Sequence, residues 1–294
     1  MMKVSKERRR IAHMDESYIH GHYTRHDDSL YDPNDEQDLQ VTVRFKGRRY
    51  CFIAAIIGAD HRINPTVRQP HQQAHILQQT LDIFQGGKRQ VKDYHDTAYL
   101  AAWMSKLLAA LRGEHVGNAV IVMNNAIYHR ALPEGTPQAS WKKSDLLQAC
   151  TRYAIPMVEE ETKPMIWRKL RDYIQSSIAP VAVAMAREES HEVLFTPPHH
   201  SGLQPIETMW AIVKGVVGRQ YTSSTTLKGV LKRLENAFAD LTSPQVQGCI
   251  DKANEWLEDI YTHIKATEEV EGECGDDTCS EVEDVQTSDA EEAE

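Results

Sequence analysis

Three positions far apart in the chain carry oxygen ligands of the kind divalent cations prefer. They are Asp15 in Met14-Asp15-Glu16-Ser17, Asn124 in Val122-Met123-Asn124-Asn125-Ala126, and Glu207 in Gln204-Pro205-Ile206-Glu207. Mg²⁺ and Mn²⁺ favour hard, anionic oxygens. Two such ions held about 3.5–4 Å apart can clamp the attacking and leaving oxygens of a phosphodiester. Asp15 and Glu207 would each bring a negative charge to that task. Asn124 brings a carbonyl oxygen without charge, and its amide end repels a cation. Losing one electrostatic stabiliser costs on the order of 10²–10³ in rate, so a set with one amide in it is expected to be impaired.

The elements around these residues must bring them together. Arg10 to Tyr18 alternates like a strand, with Ile11, His13, Asp15 and Ser17 on one face and Ala12, Met14, Glu16 and Tyr18 on the other. Glu16 therefore points away from Asp15 and is no ready substitute ligand. Val41, Val43 and Phe45, the Lys46-Gly47 turn and Arg49 to Ile57 predict a hairpin, after a loop from His20 to Gln37. His61 to Lys92 takes no assignment. Asp96 can cap a helix to Leu111 whose stripe is Leu100, Trp103, Met104, Leu107, Leu108 and Leu111. Val120 to Met123 is wholly apolar, the mark of a strand buried on both faces.

Beyond it the pattern predicts a helix over Ser144–Tyr153, a short strand over Ile155–Val158 and helical structure over Pro164–Glu189, interrupted at Pro180. A brief strand follows at Glu192–Phe195. Then comes a helix over Pro205–Val217, with Pro205 suited to its first turn and Glu207 mounted there. Two further helices centre on Leu227–Phe238 and Ile250–Ile260. Strand–helix alternation of this kind predicts an α/β sheet flanked by helices.

With 294 residues, 41% of them hydrophobic, and a mean hydropathy of -0.52, the chain can bury a sizeable core. No apolar run approaches the roughly 20 residues that span a bilayer, so no membrane partner is expected. The five cysteines are odd in number and scattered, which argues for a reducing compartment. The net charge of -10 hides two objects. Glu268 to Glu294 holds thirteen acidic residues and no Lys or Arg, and the rest of the chain has slightly more bases than acids. The expected organisation is a basic segment at 1–8, one domain over 9–265 and an acidic, disordered tail over 266–294.

The three motifs, in this order, resemble those of the catalytic domain of Tc1/mariner-type transposases, which are DDE superfamily endonucleases. Pro197-Pro198-His199-His200-Ser201-Gly202-Leu203-Gln204-Pro205-Ile206-Glu207 is close to that family's PPYSPDLNPIE pattern, and Val122-Met123-Asn124-Asn125-Ala126-Ile127-Tyr128-His129 is similar to its VMDNASxH pattern. Met14-Asp15-Glu16-Ser17 resembles its DES motif. The resemblance covers roughly Arg9 to Gln220. It implies a ribonuclease H-like mixed sheet with a helical insertion before the third motif, Mg²⁺ or Mn²⁺ as cofactor and DNA as partner. The expected setting is the nucleus, or nucleus and cytoplasm, and the chain is not expected to be secreted. Asp15, Asn124 and Glu207 would stand at the catalytic, metal-binding positions.

Lys214, seven residues after Glu207 on one helix face, and Arg219 are the expected DNA contacts. Self-association as a homodimer is a further expectation. Departures from the family pattern are Asn124, Gly202 in place of its Asp and Gln204 in place of its Asn, the last two expected to weaken the loop that seats Glu207. Helix-turn-helix modules, which precede the catalytic domain in such proteins, are expected to be absent.

The alternative is a catalytically silent, transposase-derived nucleic-acid-binding protein, or an interaction protein whose acidic tail engages basic partners. Singly, each motif has a plainer explanation. Asp-Glu-Ser can end a strand, Asn-Asn can leave one, and Pro-Pro can be a rigid connector. His20, His22 and His26 fit a surface loop better than a metal site. His129 would serve as well by capping backbone, Trp210 by packing in the core, and Lys6 to Arg10 as a solvated strand entrance.

Overall fold

A computed structural model describes residues 9–21, 48–86, 97–158, 160–198, 200–222 and 225–273. The first strand, β1 (Ile11–His20), pairs antiparallel with β2 (Arg49–Ile57), opposing Asp15 to Ala54 and Tyr18 to Cys51. Outside β2 lie two short antiparallel strands, β3 (His75–Ile76) and β4 (Asp82–Gly86). On the other side, β5 (Val120–Met123) and β6 (Glu192–Phe195) join in parallel, giving the order β3-β2-β1-β5-β6 with β4 also on β2. This mixed, six-stranded sheet has the α/β, ribonuclease H-like arrangement that the motifs imply.

Helices cover both faces because β2 is apolar on both of its faces. On one face α1 (Thr97–Gly113) and α4 (Val181–Glu188) pack Trp103, Met104, Leu107 and Ala186 against Ala12, Met14, Ile53 and Ile57. On the other, α5 (Pro205–Gly218), α6 (Leu227–Ala239) and the first turns of α7 (Ser243–Glu273) bury Ile206, Trp210, Val213, Leu234 and Ile250 against Phe52, Ala54 and Ile56. The segment between β5 and β6 contributes α2 (Lys143–Arg152) and α3 (Lys163–Ser177), which share a cluster of their own around Leu146, Cys150, Ile166 and Leu170. The chain breaks at Pro180 between α3 and α4, as expected.

Ile155–Val158 is not a strand, contrary to expectation. The backbone of Ala154 turns left-handed at φ 54° and the Ile155 N–H returns to the Cys150 carbonyl, which closes α2 with a helix cap. Ile155 and Met157 then pack on the α2–α3 cluster rather than on the sheet. Val41 to Phe45, the expected first arm of the hairpin, lies outside the described residues, as do Asp96, His22, His26, Lys6 and the acidic stretch after Glu273. Among the described residues β2 pairs antiparallel with β1, β3 and β4.

Met1–Ala253 forms one compact unit and Asn254–Glu294 a second. Within the second, α7 stays helical to Glu273, past the expected tail boundary at 265/266. No helix among the described residues is long and apolar enough to cross a membrane.

Candidate functional site

β5 runs parallel to the first residues of β1, Ile11–His13, so its exit at Asn124 comes out beside Asp15 in the middle of β1. Asp15 is 3% exposed. Its Oδ1 accepts a hydrogen bond from Asn124 Nδ2 at 2.8 Å, and its Oδ2 accepts one from Trp210 Nε1 at 3.1 Å. The indole is held in turn by edge-on contacts with Phe52 and Phe238. Burial, then the charges of Glu16 and Glu207, push the Asp15 carboxyl up to about 8, against which the Trp210 hydrogen bond pulls it down.

Asn124 is fixed at both ends. Its Oδ1 accepts from the Ala126 N–H at 3.0 Å, an Asx turn that starts the single 3-10 turn Ile127–Arg130. Turning the amide over to aim its oxygen at Asp15 would set its NH₂ against that N–H, donor facing donor. Gln204, 1% exposed, adds a further tie. In the orientation that satisfies both its ends, its oxygen accepts from the Asn124 N–H at 2.8 Å and its nitrogen donates to the Met14 carbonyl at 3.1 Å. The expected weakening of this loop at Gln204 is therefore corrected: the longer amide bridges Met14 within β1 and Asn124 at the exit of β5.

Glu207 sits in the first turn of α5, behind Pro205, where the helix N-terminus favours a carboxylate. It is half-buried, and burial raises its pKa while Lys214 lowers it. Burial lowers the Lys214 pKa, and the fields of Glu207 and Asp15 raise it. Asp15, Glu207 and Lys214 thus share one electrostatic neighbourhood. Arg219 caps the end of α5 and is exposed there.

Glu16 points to the opposite face, as its place in β1 predicts, and there it meets His129. Nε2 of His129 lies 2.8 Å from Glu16 Oε1 and Nδ1 lies 3.0 Å from the Asn124 carbonyl, with both side chains sealed from water. Burial opposes the imidazolium, but the hydrogen bond and charge of Glu16 outweigh it and raise the His129 pKa. The pair bolts the Asn124 turn to β1. Sequence pattern missed both this bond and the one from Trp210. A signal for the second existed, because Glu207, Trp210 and Lys214 recur at helical spacing and so share a face. Arg9 and Arg10 are structural: Arg9 binds the Asn118 and Ala119 carbonyls and Glu192, and Arg10 the Gly58 and His71 carbonyls.

The residues present do not fit a pair of divalent ions. Both oxygens of Asp15 already accept from N–H donors and Asn124 offers its donor end, which leaves Glu207 as the free carboxylate of the three positions. Among the described residues no three His, Cys, Asp or Glu side chains form a group that could hold a metal ion.

No family model matches the sequence. No curated protein matches it either. Solved structures that resemble the fold include a Mos1 transposase paired-end complex with left transposon end, at 14% identity and a TM-score of 0.46, covering 84% of this chain and 53% of that one. A Mos1 mariner paired end complex with Mn aligns at 16% identity and a TM-score of 0.46, again over 84% and 53%. A pre-cleavage Mos1 transpososome aligns at 14% and 0.46, over 85% and 54%. This chain spans about half the length of those chains.

Proposed function

We propose that this chain is a Tc1/mariner transposase-type domain that binds DNA but whose strand-cleavage chemistry is disabled by Asn124. The three motifs support the family reading, because they recur in order and fall on β1, on the exit of β5 and on the first turn of α5. One observation carries the disabled state: the Asn124 Nδ2 to Asp15 Oδ1 hydrogen bond of 2.8 Å, with the other end of the amide locked on Ala126. Mg²⁺ or Mn²⁺ held by three acidic side chains would supply the cleavage chemistry in an armed relative. Here an amide N–H fills part of the place such an ion would take, and Asp15 holds its proton up to a pH of about 8. Lys214 and Arg219 are the DNA contacts beside the pocket, and the nucleus is the compartment of action.

Relaxation of supercoiled plasmid by the purified chain tests this. The parent leaves the plasmid intact with either cation, and Asn124→Asp nicks it in a cation-dependent way that Asp15→Asn abolishes. A parent that nicks, and stops when Asp15 becomes Asn, overturns the disabled state. If neither protein nicks, Asp15 and Glu207 do not make a usable pocket and the transposase-type reading falls.

A further inference from the structure

The strand that carries Asp15 continues to Tyr18, an exposed aromatic that gathers two cations. Arg49 Cζ lies 4.9 Å from its ring centroid and Lys214 Nζ lies 5.9 Å from it. Tyr18 is 41% exposed, and the His20 ring packs edge-on against it at 5.2 Å. The three groups come from three elements. Tyr18 opposes Cys51 across β1 and β2, so Arg49, two residues earlier, is its diagonal neighbour on the same face. Gly86 of β4 opposes Arg49, and a Cβ there would lie 2.5 Å from Cys51 Sγ and 3.3 Å from Arg49 Nε. The missing side chain at Gly86 gives the guanidinium its room. Lys214 comes from α5 on the opposite face. It can reach the ring because β5 pairs with β1 only at Ile11–His13, and among the described residues no strand lies on that edge of β1 beyond this point.

Two like charges on one ring repel; Glu207 and Asp15 offset part of this at Lys214, and an anion shared with Arg49 would offset more. A cation over a tyrosine face gains only about 0.5–1 kcal/mol at an exposed site. Some basic residues of the described surface are matched to acids, such as Arg9 to Glu192, Lys106 to Asp82 and Arg112 to Glu189, while others have no acidic partner among the described residues. Neither Arg49 nor Lys214 forms an ion pair among the described residues. Phosphate is the ligand that suits them, since a guanidinium binds it through paired N–H donors and an ammonium binds it as a point charge. Repeating phosphates beside a pocket of the Asp15–Glu207 kind mean a nucleic-acid backbone.

We infer that Tyr18, Arg49 and Lys214 form a clamp for the phosphates of a DNA strand running past the Asp15–Glu207 pocket, with Tyr18 as the positioning residue for both cations. The clamp rests on the DNA-binding reading above and adds Arg49 and Tyr18 to it. Each phosphate contact releases counterions, so it is counted by the salt dependence of binding rather than by affinity alone.

The experiment is fluorescence anisotropy of the full chain with a labelled duplex and a labelled single strand of unrelated sequences, over a potassium chloride series. For the parent, log K falls linearly with log salt. Arg49→Gln and Lys214→Gln each reduce that slope by about 0.9 on duplex and about 0.7 on single strand, equally for all sequences. Arg49→Lys keeps the slope. Tyr18→Ala reduces it by at least as much as either cation variant, whereas Tyr18→Phe, which keeps the ring, restores it. A merely structural role for Tyr18 would shift stability without moving the slope. If the parent binds and Arg49→Gln leaves its slope unchanged, the clamp is wrong and the DNA-binding reading survives. If Tyr18→Phe loses as much slope as Tyr18→Ala, the ring does not position the cations. A parent with no salt-dependent DNA binding overturns both the clamp and the reading beneath it.

Discussion

Asp15 and Glu16 are chain neighbours with the same functional group, both nearly sealed from water, and strand alternation sends them to opposite faces of one sheet. Glu16 meets an imidazole whose pKa is raised in return. Asp15 meets an amide and an indole, donors that bring no charge, and its own pKa climbs to about 8. Burial alone does not decide what a carboxyl group does. The partner decides it: an ionisable one can share charge with the acid, and neutral donors leave desolvation to hold the proton on. On the Asp15 side the described donors are the Asn124 amide and the Trp210 indole, and burial raises the carboxyl's pKa.

Breaking the charged side should have the largest effect. His129→Ala leaves Glu16 buried with only the Tyr128 hydroxyl, 3.5 Å away, and should destabilise the chain by about 3–5 kcal/mol in urea unfolding. A loss no larger than that of a surface ion pair would mean Glu16 and His129 are not coupled. Removing one neutral donor should cost less. Trp210→Phe keeps the ring packing on Phe52 but strips Asp15 Oδ2 of its partner, a loss of about 1–3 kcal/mol. It should also push the Asp15 pKa higher still, which carboxyl NMR can follow.

The pH dependence sharpens the contrast further. A carboxyl whose folded pKa is raised favours folding when protonated, so its contribution is full below about 4 and is lost as pH rises toward about 8. Asp15→Asn should therefore flatten the stability profile in that window and make the variant relatively more stable at its alkaline end. A profile that Asp15→Asn leaves unaltered would mean the acid is not held protonated. The smallest effect belongs to an exposed pair: Arg112→Ala, which frees Glu189, should change stability by no more than about 1 kcal/mol.

Much of this contrast was legible in the sequence, because strand alternation alone put Asp15 and Glu16 on different faces and helical spacing put Glu207 in the first turn of α5. The partners were not legible. A pattern says which face a residue takes, but it does not say that His129 crosses 113 positions to Glu16 or that Trp210 crosses 195 to Asp15. Ile155–Val158 failed for another reason: four residues of apolar character suit a strand, yet the helix cap at Ala154 decided the path of the chain first. Gln204 shows a third limit. Its amide bridges Met14 and Asn124, and a side chain one methylene longer than the Asn of the motif it resembles spans a gap that its type alone could not reveal.

The proposal under test is that the Asn124 amide, held between Asp15 and Ala126, keeps divalent ions from Asp15 and Glu207. Electron paramagnetic resonance of bound Mn²⁺, measured for the parent, Asn124→Asp and Asn124→Asp with Asp15→Asn, reads this without any catalysis. The account predicts no Asp15-dependent Mn²⁺ binding in the parent, and a site gained with Asn124→Asp that disappears when Asp15 is also changed. Mn²⁺ bound by the parent and lost on Asp15→Asn would contradict it.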